Sequence, residues 1–166
     1  RLMQMAQIGA TEAGGCNRQA LTDEDAAGRA LFMTWCKDAG CDIRLDAIGN
    51  IFARRPGRDA SAAPVMTGSH LDTQPTGGKF DGIYGVLAGL EVVETRNDHG
   101  IETDHPVEAV GWTNEEGSRF APAMVSSGVW AGALERDYAY GRTDINGLTF
   151  LDELERIGYR GTAPAK

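Results

Sequence analysis

The 166-residue sequence predicts a single α/β domain built on a mostly parallel sheet, and three observations lead to this class. Apolar residues make up 42% of the chain and charged residues 24%, an ordinary balance for a globular protein. A chain of this length buries about 68–70% of its unfolded surface, which is enough for a core. Finally, a strand, a helix and a second strand follow one another between Val65 and Thr113. Such a βαβ unit crosses over right-handed and pairs its strands in parallel.

The first third of the chain predicts two helices. Apolar residues at helical spacing indicate a short helix at the start, with Leu2, Met5 and Ile8 on one side. A second helix begins after Thr22 and ends at Gly40. The Thr22 hydroxyl is a favoured N-cap, and the three acidic residues that follow it suit the positive end of the helix dipole. Its predicted apolar face consists of Ala27, Ala30, Leu31, Thr34 and Trp35.

Two short β-prone runs follow, Cys41–Leu45 and Asn50–Ala53, joined by a turn at residues 47–49. The βαβ unit then consists of a strand at Val65–Ser69, a helix from Gly82 to Thr95 and a strand at Pro106–Thr113. The apolar side of this helix consists of Leu87, Leu90 and Val93. Gly82, Gly85 and Gly89 share one face. Because glycine destabilises a helix, these glycines predict that the helix lies close to a sheet.

The candidate core of the second strand consists of Val107, Val110 and Trp112. Short helical stretches fill the rest of the chain. One of them spans Phe150–Ile157, with Thr149 as its cap and Gly158 as its stop.

Charge and cysteine content exclude several classes of function. Sixteen basic residues against 24 acidic ones give a net charge of −8, which argues against nucleic acid or an anionic membrane surface as a partner. No apolar run approaches the roughly 20 residues of a membrane span. Three cysteines without CxxC spacing favour buried free thiols over a disulfide framework or a thiolate zinc site. Since no signal-peptide pattern is visible, we expect a cytoplasmic protein.

Acidic side chains and one imidazole follow the two strands of the βαβ unit. His70 and Asp72 come directly after the first strand, Asp81 lies nine residues beyond Asp72, and Glu115 and Glu116 follow the second strand. The carboxyl ends of parallel strands lie at the same edge of the sheet, where open α/β sheets bind their ligands. The two segments are therefore expected to meet in one crevice.

This combination of side chains predicts a metal site. Several carboxylates in one place raise each other's pKa unless a cation neutralises them. Imidazole and carboxylate together suit zinc, manganese, cobalt or nickel, and two such ions sharing a carboxylate form a common hydrolytic centre. Asp72 is expected to accept the second ring N–H of His70, and one of the two glutamates can bind metal while the other takes a proton from water.

Each motif alone is weak. A single HxD pair is usually a chance occurrence, and adjacent glutamates are usually a solvated surface. Their coincidence at successive strand ends of one βαβ unit favours the metal site. His99 and His105 flank a polar turn, so we expect them to be exposed and without a catalytic role.

At these residues the chain resembles the amidase/hydantoinase/carbamoylase branch of the di-metal peptidase superfamily. That branch contains N-carbamoyl-L-amino-acid hydrolases, β-ureidopropionases and allantoate amidohydrolases. The resemblance runs nearly from end to end. The segments that carry it are Gly14-Gly15 with Arg18, DAIGNIFAR (Asp46–Arg54), GSHLDTQPTGGKFDGIYGVLAGLEVV (Gly68–Val93), NEEGSRF (Asn114–Phe120) and SSGVWAGAL (Ser126–Leu134).

The resemblance implies a fold, an activity and residue roles. The fold is a di-zinc exopeptidase-like catalytic domain with helices on both faces of its sheet. Two divalent ions are implied, with His70 binding one, Asp81 bridging both and Glu116 binding the other. Glu115 is then the general base, and Asp72 matches the family's aspartate beside the ligand histidine. The implied reaction is hydrolysis of a small-molecule substrate, an N-carbamoyl amino acid, to ammonia, carbon dioxide and the free amino acid. The segment Gln74–Gly78 favours carbamoylase or ureidopropionase over allantoate activity.

The chain also departs from the family pattern. Family members are longer, and they carry two further metal-binding histidines and a lid or dimerisation domain that are not found here. Residues 1–166 are therefore expected to be the N-terminal part of the catalytic domain, inactive alone, from a parent that forms homodimers through the absent domain. Two alternatives stay open: a di-metal dipeptidase or N-acyl amino-acid deacylase, and a catalytically incomplete assembly module.

Overall fold

A four-stranded sheet with the strand order β1-β2-β4-β3 organises the protein, whose computed structural model describes residues 1–165. The helices are α1 (Leu2–Met5), α2 (Asp23–Asp38), α3 (Ile83–Asp98), α4 (Val125–Trp130), α5 (Arg136–Tyr140) and α6 (Phe150–Arg156). The strands are β1 (Asp42–Leu45), β2 (Ile51–Arg55), β3 (Val65–His70) and β4 (Val107–Trp112).

The predicted α/β class is confirmed, while the sheet within residues 1–165 is mixed in direction. Strands β3 and β4, which helix α3 connects, pair in parallel, as the βαβ pattern predicts. Strand β2 pairs antiparallel with both β1 and β4. The β1–β2 pairing follows from the short turn between the two strands, because a tight turn can join only antiparallel neighbours. The expectation of a mostly parallel sheet therefore holds for the β3–β4 pair alone.

Helices α1, α2 and α3 cover one face of the sheet. Phe32 of α2 and Leu90 of α3 share a buried cluster with Ile51 of β2 and Ala109 of β4. On the opposite face, Trp130 of α4 packs against Trp112 with their ring centroids 5.4 Å apart. The predicted core residues of β4 therefore belong to both faces, with Val107 toward the helices and Val110 and Trp112 on the other side because side chains alternate along a strand.

The face of α2 that is buried differs from the predicted one. Ala27, Ala30 and Thr34 are exposed, and Leu31 and Trp35 are only half-buried. The buried stripe instead consists of Asp25, Gly28, Arg29, Phe32 and Cys36. Hydropathy assigns an aspartate and an arginine to the solvent side, whereas here the two form a buried ion pair, with Arg29 Nε 2.8 Å from Asp25 Oδ2. Burial of this pair rotates the helix relative to the predicted face.

The glycines of α3 allow the helix to lie close to the sheet, as predicted. A Cβ atom at Gly85 would lie 2.7 Å from Ser69 Cβ, and one at Gly89 would lie 3.0 Å from Thr67 Cγ2. Both distances are below ordinary van der Waals contact. Leu87, Leu90 and Val93 are buried, as expected for the apolar side of the helix.

The C-terminal helices pack around a second buried cluster, which includes Ile48, Phe120, Val125, Phe150 and Leu154. The rings of Phe120 and Phe150 meet edge to face with centroids 5.5 Å apart. Thr149 caps α6 as predicted, because its side chain accepts a hydrogen bond from Asp152 N. This cluster anchors the segment that follows β4.

The three cysteines, Cys16, Cys36 and Cys41, are buried free thiols, as the sequence predicts. Burial raises the pKa of the Cys41 thiol to about 11. Within residues 1–165, none of the helices has the length and apolar composition needed to cross a membrane.

Candidate metal centre

The candidate site lies where strands β3 and β4 end side by side. His70, the last residue of β3, is in register with Trp112, the last residue of β4. The two segments that follow these strands therefore begin at the same edge of the sheet, as the strand-end argument predicts. They carry Asp72 and Asp81 on one side and Glu115 and Glu116 on the other.

The imidazole of His70 is buried, and contacts at both nitrogens fix its orientation. Nδ1 donates a hydrogen bond to the backbone carbonyl of Asp72 at 2.8 Å. This contact places the proton on Nδ1 and leaves the lone pair of Nε2 free. Nε2 lies 3.3 Å from Glu115 Oε2 and 4.0 Å from Asp81 Oδ1. The nitrogen that is free to bind a metal therefore faces two carboxylates.

Gly82 allows this placement of the histidine ring. Its φ of +69° is in the left-handed region, and a Cβ atom there would collide with Cε1 and Nδ1 of His70. Glycine is therefore required directly after Asp81, because any side chain would displace the imidazole.

His70, Asp81 and Glu116 each place a donor atom within 4.8 Å of the donor atoms of the other two. His70 is buried, Glu116 is half-buried and the side chain of Asp81 is 57% exposed, so the group opens toward solvent. One imidazole and two carboxylates form a donor set that zinc and the neighbouring divalent transition metals accept. This set is the same as the predicted ligand set.

Asp72 connects the two segments, although by a different contact from the predicted one. Its carboxylate lies 3.9 Å from His70 Nδ1, too far for a hydrogen bond. The two oxygens instead accept hydrogen bonds from the backbone N–H groups of Glu115 and Glu116, each at 3.2 Å. The backbone carbonyl of Asp72, rather than its side chain, orients the histidine. Asp72 thus holds both His70 and the two glutamates in place.

The electrostatic environment of Asp72 is unusual. The pKa of its carboxyl group is raised to about 6, first by burial and then by the nearby Asp25 carboxylate. His70 and the two backbone N–H groups lower it, and these effects only partly offset the cost of burial. Burial of a carboxylate beside other carboxylates costs free energy unless a cation neutralises them. A cation bound by the donor set of His70, Asp81 and Glu116 would lower this cost.

Gln74 also contacts the candidate ligands. Its side-chain amide donates a hydrogen bond to Glu116 Oε2 at 3.0 Å. The contact holds Glu116 across the crevice between the two segments.

Arg18 holds the segment that follows β3 in place. The sequence indicates Arg18 only as part of a family motif. The side chain is almost completely buried, and Nε donates to the carbonyl of Leu71 at 2.8 Å. Its backbone N–H bonds the hydroxyl of Thr73 at 2.7 Å, and the N–H of Thr73 bonds the carbonyl of Arg18. These contacts fix the residues on both sides of Asp72. Hydropathy gives no sign of them, because it places arginine at the surface.

His99 and His105 are exposed, as predicted. Both precede β4 and so lie at the opposite end of that strand from the candidate site. His105 Nδ1 bonds the carbonyl of Ala63 at 2.7 Å. The structure does not bring them together with the predicted ligands.

Comparisons with known proteins show which family the chain resembles. Residues 66–152 match the family model described as Peptidase family M20/M25/M40. An N-carbamoyl-L-amino-acid amidohydrolase of Rhizobium meliloti is 59% identical over 160 residues, which are 96% of this chain and 38% of that protein. An N-carbamoyl-L-amino acid amidohydrolase of Geobacillus stearothermophilus is 39% identical over 158 residues, 95% of this chain and 38% of that protein.

Among solved structures, an amidase of the hydantoinase/carbamoylase family from Burkholderia multivorans superimposes with a TM-score of 0.98 at 63% identity. The match covers 99% of this chain and 40% of that one. The chain therefore spans about two fifths of the length of the relatives that it matches.

Proposed function

The chain belongs to the M20/M25/M40 peptidase family, and from that membership we propose that it forms part of a metal-dependent hydrolase of N-carbamoyl amino acids. The substrate is an N-carbamoyl-L-amino acid or N-carbamoyl-β-alanine. Water cleaves its ureido C–N bonds and releases ammonia, carbon dioxide and the free amino acid. The observation that carries the proposal is the convergence of His70, Asp81 and Glu116 beside Glu115.

Two divalent ions, zinc or manganese, cobalt or nickel, are part of the proposal. The donor chemistry fits them, since Nε2 of His70 is free and faces carboxylates. His70 would hold one ion, Glu116 the other, and Asp81 would bridge both. Such ions polarise a carbonyl group and lower the pKa of water, which supplies a nucleophile at neutral pH.

Glu115 is the proposed general base. Its carboxylate lies at the rim of the crevice, with the side chain 30% exposed and Oε2 beside the imidazole of His70. Oε2 accepts a proton from the attacking water and returns it to the departing nitrogen. Asp72 fixes the backbone of Glu115 through one carboxylate oxygen, so the base keeps its place relative to the ligands.

We further propose that residues 1–166 are the N-terminal part of the catalytic domain of a longer enzyme. The length of the matched relatives supports this proposal. Remaining metal ligands, contacts to the substrate carboxylate and a homodimer interface would then lie outside these residues, and this chain alone would be inactive. The three buried free thiols support a reducing compartment, and we propose the cytoplasm.

The proposal is tested by measuring ammonia release by the full-length enzyme. The substrates are N-carbamoyl-L-amino acids, N-carbamoyl-β-alanine and allantoate, each with the metal-stripped enzyme and after addition of Zn²⁺ or Mn²⁺. Dipeptides and N-acyl amino acids are assayed in the same way for release of the free amino acid. We expect metal-dependent ammonia release from at least one N-carbamoyl amino acid. Turnover of dipeptides or N-acyl amino acids without ammonia would instead identify a dipeptidase or deacylase, and no metal-dependent turnover of any substrate would contradict both.

A further inference from the structure

A buried arginine lies beneath the second segment of the site. The side chain of Arg29, on α2, is 2% exposed, and it joins three parts of the chain. Nε bonds Asp25 Oδ2 at 2.8 Å, Nη1 bonds the carbonyl of Gly49 at 2.8 Å, and Nη2 bonds Thr113 Oγ1 at 3.0 Å. The guanidinium therefore connects α2, the turn before β2 and the residue that follows β4.

Three hydrogen bonds hold Thr113 in place. Its backbone N–H donates to Asn50 Oδ1 at 3.0 Å and to Ser126 Oγ at 2.9 Å. Together with the bond from Arg29, these contacts fix both the backbone and the side chain of Thr113 two residues before Glu115. No part of Thr113 is exposed to solvent.

The backbone turns sharply immediately after this anchor. Asn114 has a φ of +53°, in the left-handed region that residues other than glycine rarely occupy, and its side-chain amide bonds the carbonyl of Phe120 at 2.8 Å. Such a conformation persists only where the surroundings hold it. The direction in which Glu115 and Glu116 leave β4 is therefore fixed at Thr113 and Asn114.

Stability alone does not account for this arrangement. A buried ion pair gains little over apolar residues of the same size, because both charges lose their hydration. Within residues 1–165, Asp25 Oδ1 is buried without a hydrogen-bond partner, which adds to that cost. The rigid fork of a guanidinium can, however, hold three acceptors in fixed relative positions.

We propose that Arg29 is a positioning residue that acts through Thr113 to set the placement of Glu115 and Glu116. The inference rests on the proposed function, because it concerns the ligand and the base of that site. Arg29 touches neither substrate nor metal. Its contribution is to keep the two glutamates in the position where Asp72 receives their backbone N–H groups.

The test replaces Thr113 in the full-length enzyme, since this change removes one acceptor of Arg29 and leaves the ion pair with Asp25 intact. Thr113→Val keeps the shape of the side chain, and Thr113→Ser restores the hydroxyl. Tyr140→Phe is the matched control, because it removes a buried hydroxyl that bonds the carbonyl of Ala47 away from the glutamates. The readouts are the affinity of the metal-stripped enzyme for Mn²⁺ by calorimetry, kcat, and the unfolding midpoint.

We expect Thr113→Val to lower Mn²⁺ affinity and kcat by about 10–100-fold, the usual effect of losing a group that orients metal ligands. Thr113→Ser should recover most of the loss, and Tyr140→Phe should lower only the unfolding midpoint. Wild-type affinity and kcat in Thr113→Val, with a lower midpoint, would overturn the inference. If Thr113→Val does not fold, Arg29→Lys takes its place with the same expectation, because one ammonium cannot span the three acceptors.

The Mn²⁺ readout separates this inference from the proposed function. If the wild type binds Mn²⁺ but hydrolyses no ureido substrate, the proposed function fails and the affinity series alone decides the inference. If the wild type binds neither Mn²⁺ nor, in a parallel titration, Zn²⁺, Co²⁺ or Ni²⁺, both are overturned.

Discussion

Asp72 is the residue on which the geometry of the candidate site depends most. Its backbone carbonyl orients His70, and its carboxylate receives the N–H groups of Glu115 and Glu116. Spacing in the sequence predicts that these residues meet, because HxD follows one strand and the glutamate pair follows the next. It predicts the wrong contact for Asp72, since the choice between its carbonyl and its carboxylate depends on how the loop turns after His70.

Glu115→Gln should separate the base from the ligands. The amide cannot accept a proton from water, and general base catalysis contributes about 10²–10⁴-fold, so kcat should fall at least 100-fold. Cation affinity should stay close to that of the wild type, because the donor group consists of His70, Asp81 and Glu116. Steady-state kinetics and Mn²⁺ calorimetry of the full-length enzyme measure the two quantities. An unchanged kcat would show that the glutamate pair has a structural role.

At the scale of elements, two features position the site. Helix α3 packs closely on β3, and the second buried cluster anchors the segment that follows β4. The βαβ unit and the glycine face of α3 follow from the sequence because both are local patterns. The buried face of α2 could not be predicted, since the burial of Asp25 and Arg29 depends on acceptors at Gly49 and Thr113 that are distant in sequence. The pairing of β2 with β4 is likewise a contact between distant segments.

Gly85→Ala tests the contact between α3 and β3. The new methyl group would lie 2.7 Å from Ser69 Cβ, so the helix must move away from the strand that ends at His70. Overpacking of this kind costs about 1–3 kcal/mol in the free energy of unfolding. Urea denaturation of the 166-residue chain measures it. Gly78→Ala is the control, because a Cβ atom there meets nothing within 4 Å. Equal stability of the two variants would refute the close-packing argument.

Glu153 on α6 predicts a pH dependence of stability. Its carboxylate accepts hydrogen bonds from Arg156 Nε at 2.8 Å and from Arg119 Nη2 at 2.7 Å. The bond from Arg156 and the contacts with Arg119 hold the pKa of Glu153 below its ordinary value. A carboxyl group whose pKa is lower in the folded state stabilises the protein above its unfolded pKa. That stabilisation is lost as the pH falls through the folded pKa.

Glu153→Gln should therefore lower the free energy of unfolding at pH 7 by about 1–3 kcal/mol, because a glutamine has no charge and cannot offer two oxygens to Arg119 and Arg156. The difference from the wild type should shrink as the pH drops below about 4.3, the ordinary glutamate pKa. Denaturation curves between pH 7 and pH 3 measure it. Glu155→Gln, at another position on α6, removes an exposed ion pair with Arg160 and should change little at any pH. A difference that stays constant with pH would contradict the assignment.

At the scale of the whole molecule, acidic residues outnumber basic ones by eight, and several of the acidic residues converge on one crevice. Asp81 and Glu115 face Nε2 of His70 there, Glu116 belongs to the same donor group, and Asp72 receives the backbone N–H groups of both glutamates. The sequence predicts this concentration of charge because parallel strands end at one edge of the sheet. It does not predict the buried arginines beneath it, because residue type alone places a guanidinium in solvent.

The 166-residue chain alone should release no ammonia from N-carbamoyl amino acids. Its candidate group offers three donors, whereas a catalytic two-metal centre needs more ligands than these residues provide. Ammonia release by this chain and by the full-length enzyme, compared at equal concentration with Zn²⁺ or Mn²⁺ present, measures the difference. Turnover by the chain alone would show that its residues are sufficient for catalysis.

The central claim is that His70, Asp81 and Glu116 bind two divalent cations, and anomalous scattering at the zinc edge tests it most directly. Crystals of the full-length enzyme grown with Zn²⁺ should show two peaks, each about 2.0–2.2 Å from the carboxylate of Asp81, one of them at the same distance from His70 Nε2 and the other from the carboxylate of Glu116. Zinc bound elsewhere, with these three side chains directed into separate regions of solvent, would contradict the claim.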